Sequence, residues 1–278
     1  MRVLLIDGDT LVYQAGREAE QATDWGDGHW SLHAEEVDGA RILDELIDRI
    51  REGTNAERVI VALSDYDNRG WRYDVMPDYK KARSGKKAGN GRPILWAYLR
   101  GYFQGKYETL IRPTLEGDDV LGILATINNP KLINPRADRI ICSIDKDLQS
   151  VPGYHLNFTK NITAFGWEVH HVNQAEADYF HYYQTLIGDT TDGYPGCPGI
   201  GAVTAKKILE VFCTRDSDDR IVGFERTAAW AAVVKEYTKP KVGLTEDDAL
   251  VQARVARICR ANDYSFSEKK VILWNPPK

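Results

Sequence analysis

Cysteine and histidine are scarce in this chain, and neither is grouped into a pattern that carries chemistry. The four cysteines, Cys142, Cys197, Cys213 and Cys259, form no CxxC pair. So thin a supply argues against a secreted disulfide framework and against a structural zinc site. The six histidines include the neighbours His170 and His171, with nothing around them that marks a general base. Long apolar runs are also missing: there is no stretch of eighteen apolar residues, whereas a bilayer-spanning helix needs about twenty. The first residues run directly into a strand-like segment without the form of a signal peptide. These absences point to a soluble protein of a reducing cytoplasm. The composition, 43% hydrophobic and 28% charged over 278 residues, suffices for one sizeable core with a smaller lobe.

A basic surplus is lacking too, since the net charge is −5. The sum hides a separation. From Arg69 to Arg112 the chain has eleven Lys or Arg against three acidic residues, a local excess of +8 that leaves −13 elsewhere. Much of the negative charge lies in short carboxylate motifs. A positive track beside an anionic pocket is the arrangement this separation predicts.

What the chain does contain is an alternation of strand and helix patterns. Short apolar runs at residues 3–6, 58–63 and 139–144 predict buried strands, delivering Asp7, Asp65 and Asp145 to equivalent ends. Between them, apolar positions recur at helical spacing over residues 37–53, 94–107 and 115–127. Residues 66–92 have little apolar periodicity, many basic side chains and several glycines, which fits a mobile loop or an interrupted helical element. Asn173 with Glu176 has the form of a capping box for a helix that stops at Gly188. Gly199-Ile200-Gly201 precedes another helix, and further helices are expected over 222–236 and 245–259. The expected fold is α/β, a central mainly parallel sheet flanked by helices with a C-terminal helical lobe. The expected division is a core over 1–160 and a lobe over 161–278.

The carboxylates carry the chemical signal. Glu116, Asp118 and Asp119 crowd the start of one helix pattern, and Asp145 and Asp147, two apart, face the same way in extended chain. Asp189 and Asp192 follow in a glycine-bounded turn. With Asp7 and Asp65 they make nine oxygen-bearing candidates. Each cluster alone could be a solvated helix start or strand end. Gathered together, they would repel strongly unless divalent cations relieved the cost. An all-oxygen set favours Mg²⁺ or Mn²⁺, and two such ions would suit phosphodiester hydrolysis without a histidine base.

The motifs Ile6-Asp7-Gly8, Ser64-Asp65, Met76-Pro77-Asp78-Tyr79-Lys80, Glu116-Gly117-Asp118-Asp119, Asp145-Lys146-Asp147 and Gly188-Asp189-Thr190-Thr191-Asp192 together resemble the flap endonuclease and 5′→3′ exonuclease family, particularly exonucleases of short-tailed bacteriophages. The resemblance spans roughly residues 2–212. It implies a phosphodiesterase acting on DNA with an accessible 5′ end or flap, in the host cytoplasm if phage-encoded. It implies one metal among Asp7, Asp65, Glu116 and Asp118, and another among Asp145, Asp147 and Asp192. Asp118 would link them, Asp119 and Asp189 would act through water, and the ions would sit about 3.5–4 Å apart. Lys80 matches a lysine that assists attack on the phosphate, Arg83 a second active-site cation, and Tyr79 a ring that stacks on the terminal nucleotide. Lys81, Lys86, Lys87 and Arg92 fall in an interval resembling the family's arch, although it is short and glycine-interrupted. The run from Gly196 to Lys207 resembles the family's helix–three-turn–helix. Gly199 and Gly201 would approach phosphate and a monovalent cation such as K⁺ there, and Lys206 and Lys207 would contact the backbone.

The motifs leave open an RNA-directed or RNase H-like 5′ exonuclease, RNA–DNA hybrid being a further expected partner. They also leave open a non-catalytic, metal-dependent DNA-binding or replication-scaffold protein. A monomer is expected.

Overall fold

In a computed structural model, which describes residues 1–81, 91–159, 162–163 and 166–278, the chain builds a six-stranded sheet first. β1 (Arg2–Asp7) leads through α1 (Gly8–Ala19), the hairpin β2 (Gln21–Asp24) and β3 (Trp30–His33), and α2 (Glu36–Thr54) into β4 (Arg58–Ala62). The short α3 (Arg72–Val75) and α4 (Trp96–Lys106) precede β5 (Glu108–Leu110); α5 (Gly117–Thr126) leads to β6 (Asp138–Cys142). A 3₁₀ turn (Lys146–Ser150) leads to β7 (Gly153–Leu156). The hairpin β8 (Ile162–Thr163) and β9 (Gly166–Trp167) precedes β10 (Val169–Val172). The strand order is β10-β7-β6-β1-β4-β5, parallel throughout except at the β10 edge.

The sheet faces follow the two-residue period of β1. Leu4 and Ile6 join one buried cluster with Leu11, Leu43, Ile47 and Leu99, from α1, α2 and α4. Val3 and Leu5 join the other with Val120, Leu121 and Leu124 of α5, and with Ile258 and Cys259. Fully burying each such aliphatic side chain contributes about 1.5–3 kcal/mol. The remaining elements are α6 (Gln174–Ile187), α7 (Ala202–Glu210), β11 (Cys213–Arg215), β12 (Ile221–Phe224), α8 (Arg226–Tyr237), α9 (Glu246–Ala256), β13 (Tyr264–Ser265) and β14 (Lys270–Val271). A third cluster, including Tyr182, Leu209, Trp230 and Tyr237, fills the helical lobe.

Several expectations shift against this frame. Residues 8–19 form a helix that was not expected, although Leu11, Val12, Ala15 and Ala19 recur at helical spacing along its buried face. The sheet continues past residue 160 to Val172, so β10 lies beyond the expected division. The last turns also return to the core, where a Cβ on Gly122 would sit 2.4 Å from the Cys259 carbonyl oxygen. The helix expected from residue 222 starts at Arg226, since Ile221–Phe224 pair with β11. The one expected over 245–259 ends at Ala256. Among the described residues no helix is long and apolar enough to cross a membrane.

Candidate metal centre

β1 lies between β4 and β6, so Asp7 arrives in the middle of the sheet's carboxyl end. Its carboxylate also caps α1, accepting the Thr10 N–H at 3.0 Å and the Thr10 hydroxyl at 2.5 Å. The Ser143 hydroxyl beyond β6 adds a third donor at 2.6 Å. Burial pushes the Asp7 carboxyl above the usual carboxylate range, against those hydrogen bonds. The turn tolerates only glycine next, since a Cβ on Gly8 would lie 2.5 Å from Val61 Cγ1 and 2.8 Å from the Ala62 carbonyl oxygen.

The start of α5 sends its acids in different directions. Asp119 goes inward, with 0% exposure. Its Oδ2 accepts from Arg72 at 2.7 Å and Trp71 Nε1 at 2.9 Å, and its Oδ1 from Arg72 at 2.9 Å and the Cys259 N–H at 3.0 Å. Asp118, half-buried, accepts no hydrogen bond among the described residues. Burial and the nearby charges of Asp7, Asp145 and Glu116 push its carboxyl well above the ordinary value. Glu116 is compensated: burial pushes it upward, but the Lys80 ammonium at 2.6 Å and the Arg72 guanidinium at 3.2 Å hold it below the ordinary value.

The third group comes from the β6 end and from the turn after α6. Asp145 Oδ1 accepts the Asp147 N–H at 2.8 Å, opening the 3₁₀ turn. Lys146 Nζ bridges Asp147 at 2.8 Å and Asp189 at 3.0 Å, tying the two segments together. Asp189 shapes its own turn, accepting the Thr191 N–H at 2.7 Å. Asp192 accepts the Tyr79 hydroxyl at 3.0 Å, and its carbonyl accepts the Lys80 N–H at 2.8 Å. Lys80 itself sits in the left-handed backbone region, at φ +54°. Such a conformation in a non-glycine residue has to be held by its surroundings.

A cavity of about 100 Å³ lies among these groups, lined by Glu116, Asp118, Asp145, Asp147, Asp192, Lys80, Arg72 and Tyr79. The nine expected carboxylates therefore divide. Five line the cavity, and the charge of Asp7 bears on Asp118. Asp65 is not in the wall: its oxygens accept N–H groups from Asp67, Asn68 and Thr114, which folds the loop after β4. Asp119 and Asp189 brace the site through Arg72 and Lys146. Tyr79, expected to stack on a nucleotide, is only 2% exposed and positions carboxylates instead.

Arg83, Lys86 and Lys87 lie outside the described residues. Lys81 is exposed and pairs with Asp78 at 2.9 Å, and Arg92 stacks on Trp96. Lys206 and Lys207 are exposed on α7, after a turn in which Gly199 has φ +78°. Arg72, Trp71, Ser143 and Thr10 are site residues that the sequence did not reveal. Arg72 lies 47 positions from Asp119, so no local spacing could have linked them. A larger groove of about 770 Å³ between α2 and α4 is lined by Asp44, but Tyr102, Lys106 and Tyr107 already satisfy that carboxylate.

The ligand atoms fit hard divalent cations: all are oxygens, and Asp118 stands among like charges with no hydrogen-bond donor among the described residues. Among the described residues, however, no three of the acids, histidines or thiols are already gathered into a coordination sphere.

No family model matches the chain. It is 30% identical to the exonuclease of Escherichia phage T7 in an alignment of 295 positions, covering 99% of this chain and 93% of that protein. It is also 30% identical to a flap endonuclease of Shewanella woodyi over 161 positions, 53% of this chain and 58% of that one. The fold matches that of the bacteriophage T5 5′-exonuclease, solved with divalent zinc bound, at a TM-score of 0.63 and 16% identity, over 92% of this chain and 89% of the other. With a full-length relative at that identity, the chain belongs to the family of phage 5′ exonucleases and flap endonucleases.

Proposed function

We propose that this protein is a divalent-metal-dependent, structure-selective nuclease that hydrolyses DNA from an accessible 5′ end or flap. The observation that carries the reading is Asp118, a carboxylate with no hydrogen-bond donor among the described residues, placed among Asp7, Glu116 and Asp145. Asp7, Glu116 and Asp118 would hold one ion, and Asp145, Asp147 and Asp192 the other. Mg²⁺ or Mn²⁺ bound there supplies charge neutralisation and Lewis-acid polarisation at the attacked phosphate. Asp65 would join only by giving up the hydrogen bonds of its loop.

The chain's own residues supply the rest. Lys80 brings the ammonium at the cavity wall, where it can follow a phosphate oxygen as charge builds. Tyr79 fixes the relative positions of Glu116 and Asp192 through one hydroxyl. Away from the cavity, the turn from Gly196 to Gly201 opens onto the N-terminus of α7, with Lys206 and Lys207 exposed behind it. This supports a helix–three-turn–helix that grips duplex phosphates, with K⁺ at the Gly199–Gly201 turn.

End-labelled duplex, flap and RNA–DNA substrates with Mg²⁺ test the reading. Products released from the labelled 5′ end support it. Cleavage of RNA-containing strands alone, or tight binding with no turnover, overturns it.

The two lysines should separate capture from chemistry. Lys80→Ala is expected to slow single-turnover cleavage even at saturating protein. Lys206→Ala should chiefly weaken binding, reducing the logarithmic salt slope by about one unit if it meets one phosphate. Binding in Ca²⁺ across a salt series, then cleavage in Mg²⁺ at saturation, measures both. A Lys80 variant with weak binding but a normal saturated rate contradicts its assigned role.

A further inference from the structure

Beyond the cavity, the loop after β4 presents an aromatic surface with no assigned task. Tyr66 follows Asp65 and is 50% exposed. Its ring meets Trp96, the first residue of α4, edge to face at 5.0 Å between centroids. Two guanidinium groups cover the pair. Arg100 lies inside, 4.7 Å from the Tyr66 ring and 4.9 Å from the Trp96 ring. It is anchored by Asp9 and by the Ser64 carbonyl at 2.7 Å. Arg92 lies outside and exposed, 4.6 Å from Tyr66 and 3.9 Å from Trp96, and among the described residues it meets no carboxylate.

This cluster is wired to the metal centre. The Ser64 N–H donates to Asp9 at 2.7 Å, and the Ser64 hydroxyl accepts the Gly117 N–H at 2.8 Å. Gly117 separates Glu116 from Asp118 in the chain. The platform is therefore held from the same short segments that position the carboxylates.

We propose that Tyr66, Trp96 and Arg92 form a binding site for one unpaired nucleotide next to the reaction centre, the base taking the outer face of the Tyr66 ring that Arg92 now covers and its phosphate drawing Arg92 off that face. The proposal rests on the nuclease reading and names the part of the substrate that this side of the mouth receives. An unpaired nucleotide is the chemistry that fits. A paired base keeps its faces covered in the helix, whereas an exposed aromatic ring offers stacking to any free base regardless of sequence. The inner Arg100 has its charge answered by Asp9, so it stiffens the platform. The outer Arg92 remains available to a phosphate.

The test is a cycle between ring and base. Affinity is measured in Ca²⁺ for duplexes with a short 5′ overhang, with and without bases on the unpaired nucleotides. Wild-type protein should bind the abasic overhang about ten-fold more weakly, the scale of losing one stacked base. Tyr66→Phe should behave as wild type. Tyr66→Ala should bind both overhangs equally, at the level of the abasic one. Arg92→Ala should retain the base effect and lose about one unit of salt slope. Circular dichroism and thermal unfolding establish that each variant is folded. If Tyr66→Ala does not fold, Tyr66→Leu takes its place. An unchanged base effect in the ring-less variant overturns the platform, as does a wild-type protein indifferent to base removal. Cleavage of the same substrates in Mg²⁺ keeps the two readings apart. A wild-type protein that cuts normally while the cycle shows no coupling loses only the platform, and one that cuts none of them loses the nuclease reading as well.

Discussion

Replacing Asp118 by asparagine is expected to slow single-turnover cleavage about 10³-fold, the scale of losing one preorganised electrostatic group from a reaction centre. The same substitution should make the metal-free protein more stable. Burial and the charges of Asp7, Asp145 and Glu116 all oppose ionisation of Asp118 in the fold, and an amide of nearly the same shape carries none of that cost. Relief of about 1 kcal/mol corresponds to roughly 2–4 °C in Tm for a chain of this size. Mg²⁺ should then reverse the ranking, stabilising the wild type by binding its folded state and stabilising Asp118→Asn less, because only the Asp145, Asp147 and Asp192 set remains whole. Thermal unfolding in chelator and in Mg²⁺, with rapid-quench cleavage alongside, measures all three effects. A variant that is less stable in chelator would mean that Asp118 is a structural acid, and the metal reading would lose its strongest support.

Arg72→Met should cost the most stability of any single change near the site, about 3–5 kcal/mol, as expected when one member of a buried ion pair is removed. Arg72 is 4% exposed. It donates to both Asp119 oxygens, to Glu116 at 3.2 Å, to the Val255 carbonyl at 3.0 Å and to the Arg257 carbonyl at 2.7 Å. Its loss leaves Asp119 buried beside no cation among the described residues and removes two hydrogen bonds that hold the end of α9. Removing the acid as well, in Arg72→Met with Asp119→Leu, should restore part of the loss, because no uncompensated charge then remains. Urea unfolding of the single and double variants decides the matter. A single-variant loss under about 1 kcal/mol contradicts the role drawn here.

The parts of this molecule legible in the sequence are those where local pattern and tertiary placement agree. Apolar runs ending in an acid marked β1, β4 and β6, because strands buried on both faces are nearly continuous in Val, Ile and Leu. Asn173 with Glu176 marked the start of α6, and both capping hydrogen bonds are present, at 2.8 Å and 3.0 Å. The family motifs placed Glu116, Asp118, Asp145, Asp147 and Asp192 together, and the fold lines one cavity with them. α1 was legible but missed: Leu11, Val12, Ala15 and Ala19 recur at helical spacing along its buried face. Other features depended on contacts that spacing cannot encode. Tyr79 has the same place in its motif whether its ring faces a nucleotide or the core, and only the packing around it sends its hydroxyl to Glu116 and Asp192. Asp119 was expected behind Asp118, acting through water; successive helical residues point about 100° apart, and that rotation carries Asp119 into the core against Arg72 and leaves Asp118 at the cavity. The Tyr66 platform joins residues from two segments that share no motif.

The most direct test of the central claim is the metal dependence of cleavage of one 5′-labelled flap duplex. Protein stripped of metal, with the residual content measured independently, is mixed with the labelled DNA under single-turnover conditions while Mg²⁺ is added back. The carboxylate centre predicts no cleavage before addition, and 5′-derived products whose rate rises with Mg²⁺ to saturation. Full cleavage in the stripped protein, or none at any Mg²⁺ concentration in a folded protein that binds the DNA, would contradict it.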